Sequence, residues 1–406
     1  MRISTGMIFQ RGLDAMQKQQ SSLFQTQQHI AANKRVIRPS DDPVAASRAV
    51  ETTQAKALNK QYADNQAAAR DALALGESTL GNIGDVLQDA RVLLVNATNG
   101  SLTADDRKSL ALDLKAKLDQ LIGLANTRDG AGGYLFAGYQ EQAQPFTPTA
   151  AGAQYNGDQG RRELQVAPGR TLAVSENGVE LFERLREGNG TFVTASATAN
   201  TGNAAISVGR ATGQVSGALQ YQVEFALDAN GAMTYTIFDS GANVIGAPDQ
   251  PYTSGAAISI DTGTGALEFE ISGEPAAGDI FTIEPAGQKN VFAMLSEAIA
   301  ALERPLPDGA ARAAFTEDMA RSLQNVDNAF DRVLSVRTAM GASLRELDAL
   351  NNVVQDNALH YEERLSELID LDYAAALTQL VREQMALEAA QLSYQRVTSL
   401  SLFNYL

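Results

Sequence analysis

Asp41 and Asp42 form the carboxylate pair whose type and spacing best suit metal binding or acid–base work. Neighbouring carboxylates raise each other's pKa, which is one route to a proton donor near neutral pH. Adjacent residues beside prolines, here Pro39 and Pro43, point in different directions and do not converge on one ligand. Asp42 has instead the place of a helix N-cap, with Pro43 at the first helical position. Pro39 turns Arg38 away from the α conformation. Pro39, Asp41, Asp42 and Pro43 therefore read as a helix break and cap. His29 and His360 lie in polar helical stretches with no second ligand at i+4, so solvated or packing histidines are favoured over metal ligands. Gly130-Ala131-Gly132-Gly133 lacks the Lys-Ser/Thr of a phosphate loop. No Gly-x-Ser-x-Gly elbow occurs, and the absence of cysteine removes thiolate catalysis, disulfides and cysteine metal sites together. Asn96-Ala97-Thr98, Asn99-Gly100-Ser101 and Asn189-Gly190-Thr191 match the glycosylation sequon, a motif too common to mean much alone. No catalytic residue, cofactor or metal is expected, and the chain does not read as an enzyme.

The elements that would position any site follow from composition. The chain has 406 residues, enough for two or three domains, and a net charge of -16 that repels a phosphate backbone. Cations gather in the first sixty residues, which reads as a solvated helix face; nucleic acid and membrane are not expected partners. No run of 18 apolar residues exists, and the start lacks the apolar core of a secretory signal, so these rules alone point to the cytosol.

Residues 1 to about 130 and about 288 to 406 read as helix, rich in Ala, Leu, Gln and Arg, while about 140 to 286 is rich in Gly, Thr, Ser and Asn. Val326, Val333, Met340, Leu347, Val354, Tyr361 and Leu368 recur every seven residues, as do Leu73, Leu80, Leu87 and Leu94. Such heptad seams predict two helices, distant in sequence, paired as an antiparallel coiled coil. Between them, Leu219 to Leu227 alternates with period two, Asp228-Ala229-Asn230-Gly231 turns the chain, and Met233 to Phe238 returns. Further strands fit Ile258 to Ile260, Leu267 to Ile271 and Ile280 to Ile283, and a separate strand pair is expected around the turn signals Asn156-Gly157-Asp158 and Ser175-Glu176-Asn177-Gly178. The expected fold is α+β and multidomain: a long coiled-coil helical rod made by both chain ends, with a β-rich outer module inserted in the middle. Its parts are terminal helical arms at 1–42 plus 370–406, a helical rod with a small hairpin region at 43–186 plus 287–369, and the inserted module at 190–286.

The arms carry thin apolar stripes. Ile3, Met7, Phe9, Leu13, Leu23 and Ile30 recur with helical spacing at one end, and Leu380, Leu387, Tyr394, Leu402, Phe403 and Leu406 at the other. A narrow stripe buries too little to offset an ordering cost of about 1–2 kcal/mol per residue. The arms are therefore expected to become helical only when neighbouring copies cover them, the alternative being that they pair within one chain.

The ends resemble the flagellin superfamily. Met1-Arg2-Ile3-Ser4-Thr5 is similar to the start of its hook–filament junction branch, and Pro39-Ser40-Asp41-Asp42-Pro43-Val44-Ala45-Ala46 to its hallmark segment. Asn126-Thr127 through Gly133-Tyr134-Leu135-Phe136-Ala137-Gly138 resembles its helix-to-hairpin element. Asp370-Leu371-Asp372-Tyr373-Ala374 and the finish Ser399-Leu400-Ser401-Leu402-Phe403-Asn404-Tyr405-Leu406 resemble hook-associated proteins, as does Gly273-Glu274-Pro275-Ala276-Ala277-Gly278-Asp279-Ile280-Phe281. The resemblance covers most of 1–185 and 287–406. It implies a structural subunit joining hook to filament by helical self-assembly, exported unfolded through the flagellar type III channel without a cleaved signal peptide. The partners it implies are hook-associated proteins on the hook side, filament-side subunits, lateral copies of itself, and a cytoplasmic export chaperone on the C-terminal arm. Flagellin itself is the alternative within this class. A secreted coiled-coil effector or adhesin with a ligand-binding β module is the alternative outside it.

Overall fold

The computed structural model describes residues 5–130, 132–215 and 219–399. The chain divides into two units, one built from residues up to Asn65 and from Ala349 onward, the other spanning Gln66–Asp348. Helices α1 (Thr5–Ala32), α2 (Pro43–Ala97) and α3 (Ala104–Ala125) precede the β-rich middle; α4 (Val291–Glu303), α5 (Gly309–Ile369) and α6 (Tyr373–Ser399) follow it.

In the first unit α1 packs along α6. The beginning of α2 runs antiparallel to the end of α5: the Asn59 amide donates to the Val354 carbonyl at 2.8 Å, and Lys56 pairs with Glu362 at 2.9 Å. Val354 is buried, while Tyr361 is only half-buried. Over the described residues the arms are helical and paired within the single chain, where ordering only on assembly was expected. The physical reason is that each supplies cover for the other's stripe: the Phe9 and Tyr394 rings meet edge to face at 6.1 Å, and Gly12 leaves room for Tyr394.

In the second unit α2 and α5 are also antiparallel. Arg70 pairs with Asp348, Glu77 with Arg337 and Arg91 with Asp327, so each step up α2 is a step down α5. Leu73, Leu80, Leu87 and Leu94 from α2 are buried, as are Val333, Met340 and Leu347 from α5. Gly76 and Gly84 let the helices approach closely: a Cβ on Gly76 would lie 3.2 Å from the Met340 methyl, and one on Gly84 would lie 3.5 Å from the Phe330 ring. Thr103 caps α3 through a reciprocal box with Asp106.

Strands β1 (Phe146–Thr149) and β2 (Gly152–Tyr155) form one hairpin, and β3 (Glu163–Ala167) and β4 (Arg170–Ala173) another. Their tips fall at Ala150-Ala151 and Pro168-Gly169. The expected turn signals lie elsewhere: Asn156-Gly157-Asp158 links β2 to β3, and Ser175 to Gly178 follows β4. Asx-rich loops carry the same composition as hairpin tips, so composition alone does not separate the two. Phe146, Phe182 and Phe292 form an aromatic cluster with centroids 5.0–5.5 Å apart.

A short pair, β5 (Leu185–Arg186) with a later strand, marks the neck of the larger β region. The region contains β6 (Phe192–Ser196), β7 (Ala205–Ile206), β8 (Arg210–Gly213), β9 (Tyr221–Leu227), β10 (Met233–Asp239), β11 (Val244–Pro251), β12 (Ala257–Asp261), β13 (Gly265–Ser272) and β14 (Ile280–Pro285); the neck strand is β15 (Gln288–Lys289). One antiparallel sheet runs β11-β10-β9-β14-β6, with Pro285 opposite Phe192; the other runs β12-β13-β7, with β8 also on β13. Their inner faces share one core, including Phe192, Phe225, Phe269 and Phe281, drawn wholly from residues 192–283. The buried Glu317 of α5 accepts the backbone N–H groups of Ser196 (3.1 Å) and Ile206 (2.9 Å), and Asn325 accepts that of Gly188 (2.8 Å).

Candidate assembly surface

Two helix breaks define the place from which the arms start. After α1 the chain turns at Asn33, whose φ is 51°. Lys34 then bridges Asp370 in antiparallel fashion, and the Arg35 N–H donates to the Ile369 carbonyl at 2.8 Å. The Arg35 guanidinium reaches both sides, donating to the Leu368 carbonyl at 2.6 Å and to the Asp42 carboxylate at 3.0 Å. Asp41 accepts the N–H groups of Ile37 (3.0 Å) and Arg38 (2.8 Å), while Asp42 accepts that of Ala45 (2.9 Å) as the cap of α2. These hydrogen bonds hold both carboxyls below the usual carboxylate range: Arg38 N–H dominates at Asp41, and Ala45 N–H followed by Arg35 dominates at Asp42. Asp372 repeats the device at α6, accepting the Ala375 N–H at 3.0 Å. Both carboxylates of the Pro39–Pro43 segment are thus occupied by backbone donors, Pro43 opens α2, and the loop they shape is fastened by Arg35 to the end of α5.

Between the arms sits one acidic side chain, Glu383 of α6, which is 5% exposed. Its carboxylate accepts the Ser22 hydroxyl at 2.7 Å and the Gln379 amide at 2.9 Å, and Gln19 donates to its backbone carbonyl at 3.3 Å. Burial pushes this carboxyl up, but hydrogen bonds from Gln379, Ser22 and Thr26 outweigh it and leave the pKa below the ordinary range. A polar residue at the seam of two helices fixes their register, because any slip strands the charge.

Pairing with α1 does not cover all of α6. Tyr373, Leu377, Val381, Met385 and Leu392 remain exposed, the last two at 63% and 60%. Steps of four and seven residues hold these side chains within one arc of the helix, with Val381, Met385 and Leu392 on the side opposite Glu383 and Tyr394. On α1, Met7, Leu13 and Phe24 are likewise exposed. Among the described residues no group of three or more His, Cys, Asp or Glu could hold a metal, and no helix is long and apolar enough to cross a membrane. What this geometry can do is pack: it offers apolar strips on helices whose register is already fixed.

Residues 3–141 match the bacterial flagellin N-terminal helical region. Flagellar hook-associated protein 3 of Escherichia coli K12 is 28% identical over 404 residues, spanning 99% of both chains. Hook-associated protein 3 from Legionella pneumophila superposes with a TM-score of 0.73 at 30% identity, covering 78% of this chain and 98% of that one. The chain belongs to the flagellar hook-associated protein 3 family. The Xanthomonas campestris FlgL structure agrees, with a TM-score of 0.71, 29% identity and coverage of 78% and 99%. The match to hook-associated protein 3 runs end to end, whereas the flagellin region accounts for the first third alone, which favours the hook-associated family over flagellin.

Within this hook-associated protein 3 fold the arm residues singled out by sequence separate into three groups. Phe9, Leu23, Ile30, Leu380, Leu387 and Tyr394 are half-buried. Leu380, Leu387 and Tyr394 lie on the α6 face that carries Glu383, toward α1. Met7 and Leu13 stay exposed, and Ile3, Leu402, Phe403 and Leu406 lie outside the described residues. Val381 and Met385 were missed, although their spacing of four from Leu377 was visible in the sequence. Arg35 was also missed; nothing in its local pattern announces a partner more than 330 residues away.

Proposed function

We propose that this chain is a structural, non-enzymatic subunit of the flagellum that joins hook to filament by helical self-assembly. The observation that carries the reading is the apolar strip left open along α6, in a chain that matches hook-associated protein 3 over its whole length. A contact between this strip and a different surface of the next copy does not close on itself, and repeating it generates a helical array. In that array the arms, 1–42 plus 370–406, form the inner layer, 43–186 plus 287–369 the middle, and 190–286 the outside. Hook-associated proteins cover the arms on the hook side, filament-side subunits on the other, and further copies laterally. The same strip is the natural seat of an export chaperone on the C-terminal arm, since an apolar face that assembles outside the cell has to be shielded before export through the type III channel. The place of work is extracellular, at the hook–filament junction. Immunogold labelling of isolated hook–filament assemblies tests this: label confined to a short band at the distal end of the hook supports the junction role, and label along the filament contradicts it.

A further inference from the structure

At the turn from α2 to α3 a crevice of about 410 Å³ opens against the first turns of α5. Two arginines line it, Arg107 and Arg312, and no lining residue is acidic. That is unusual in a chain of net charge -16 whose arginines elsewhere are widely paired with carboxylates. Arg107 is 9% exposed, and its Nε has no hydrogen-bond partner. Its guanidinium lies 5.7 Å from the centre of the Phe315 ring. A cation–π contact satisfies none of the guanidinium N–H donors, so Nε is left with an unmet hydrogen bond beside the crevice. Arg312 is exposed at the mouth and forms no ion pair among the described residues. Asn99 adds a further donor: its Oδ1 already accepts from the Ser101 N–H (3.2 Å) and hydroxyl (2.9 Å), which leaves the amide hydrogens of Nδ2 for a ligand.

From these observations we propose that the crevice is an oxyanion site, in which Arg107 from within and Arg312 from the rim hold a small anion such as phosphate. Planar guanidinium groups match the oxygen spacing of phosphate and carboxylate, and burial of one of them strengthens the attraction. The site is independent of the arms and of the junction role. Calorimetric titration of the full-length chain with inorganic phosphate, and separately with acetate, in low-salt buffer tests it. The expected result is saturable one-to-one binding of phosphate that weakens at least about tenfold in Arg312→Ala, the loss of one charged hydrogen bond. Arg107→Met should abolish binding; if that variant does not fold, Arg312→Ala decides alone, because its side chain is on the surface. Saturable acetate binding with the same dependence on Arg312 also supports an oxyanion site and identifies a carboxylate as a source of the ligand. Absence of saturable heat with both anions, or equal affinity in the parent and Arg312→Ala, overturns the proposal.

Discussion

Replacing Met385 and Leu392 together by glutamine should leave the chain folded and destroy its ability to assemble. Fully burying a Met or Leu side chain is worth about 1.5–3 kcal/mol. With 63% and 60% of these two still open in the single chain, covering the remainder contributes about 1–2 kcal/mol each. The pair therefore supplies about 2–4 kcal/mol for each subunit added, roughly 30- to 1,000-fold in the association constant. Glutamine keeps the charge and nearly the helix propensity of the residues it replaces, so the single chain should melt within about 2 °C of the parent. Purified protein added to isolated hooks, with bound copies counted by electron microscopy over a concentration series, measures the loss. If the double variant melts like the parent and also loads hooks at the parental concentration, the α6 strip faces solvent in the assembly and the argument fails.

Acid should loosen the arm pair through Glu383. Its folded pKa is lowered, so its contribution is fully present above the unfolded carboxylate range and disappears as pH falls through the folded value. Hydrogen exchange of α1 and α6 between pH 7 and 3 should show this acid limb in the parent and lack it in Glu383→Gln. Gly152→Ala should destabilise by about 2 kcal/mol or more, because φ is +116° and the new Cβ would stand 2.6 Å from the Phe292 carbonyl carbon. In contrast, Gly76→Ala meets only the flexible end of the Met340 side chain, its methyl at 3.2 Å and its sulfur at 3.3 Å, and gains helix propensity of about 1 kcal/mol, so its melting temperature should hold or rise. Deleting about 192–284 with a short linker should preserve the helical circular dichroism signal, since that core uses no residue outside 192–283. Collapse of the helical signal would show that the helices depend on the module.

The long helices and the β-rich middle were legible because their periods differ. A seven-residue recurrence such as Leu73, Leu80, Leu87 and Leu94 can be buried along one face only, and β9 with period two can be buried only in a sheet. What covers a stripe is a different matter. The apolar spacing around Phe9 is the same whether Tyr394 of the same chain or a neighbouring copy lies on it, so the pairing of α1 with α6 was not decided by pattern. Glu383 looked like any solvated helix residue, since its partners Ser22 and Thr26 come from the far end of the chain. The Pro39–Pro43 segment could be read as punctuation, because proline and aspartate act on backbone one to three residues away. Its fastening by Arg35 to Leu368 is a tertiary fact, outside the reach of local chemistry.

The chain enters the larger β region on β6 and leaves it on β14, and the two are neighbours in one sheet with Phe192 opposite Pro285. Facing residues of antiparallel strands are about 4.5–5.5 Å apart at their Cα atoms. Apart from the Glu317 carboxylate that holds Ser196 and Ile206, the surroundings therefore ask of what lies between only that its ends meet. A lineage can enlarge, shrink or replace this cassette in a single recombination event and keep every helix position unchanged. The same socket suits deliberate grafting: a foreign domain with adjacent termini, set between these strands, would be displayed once per subunit without a new linker design.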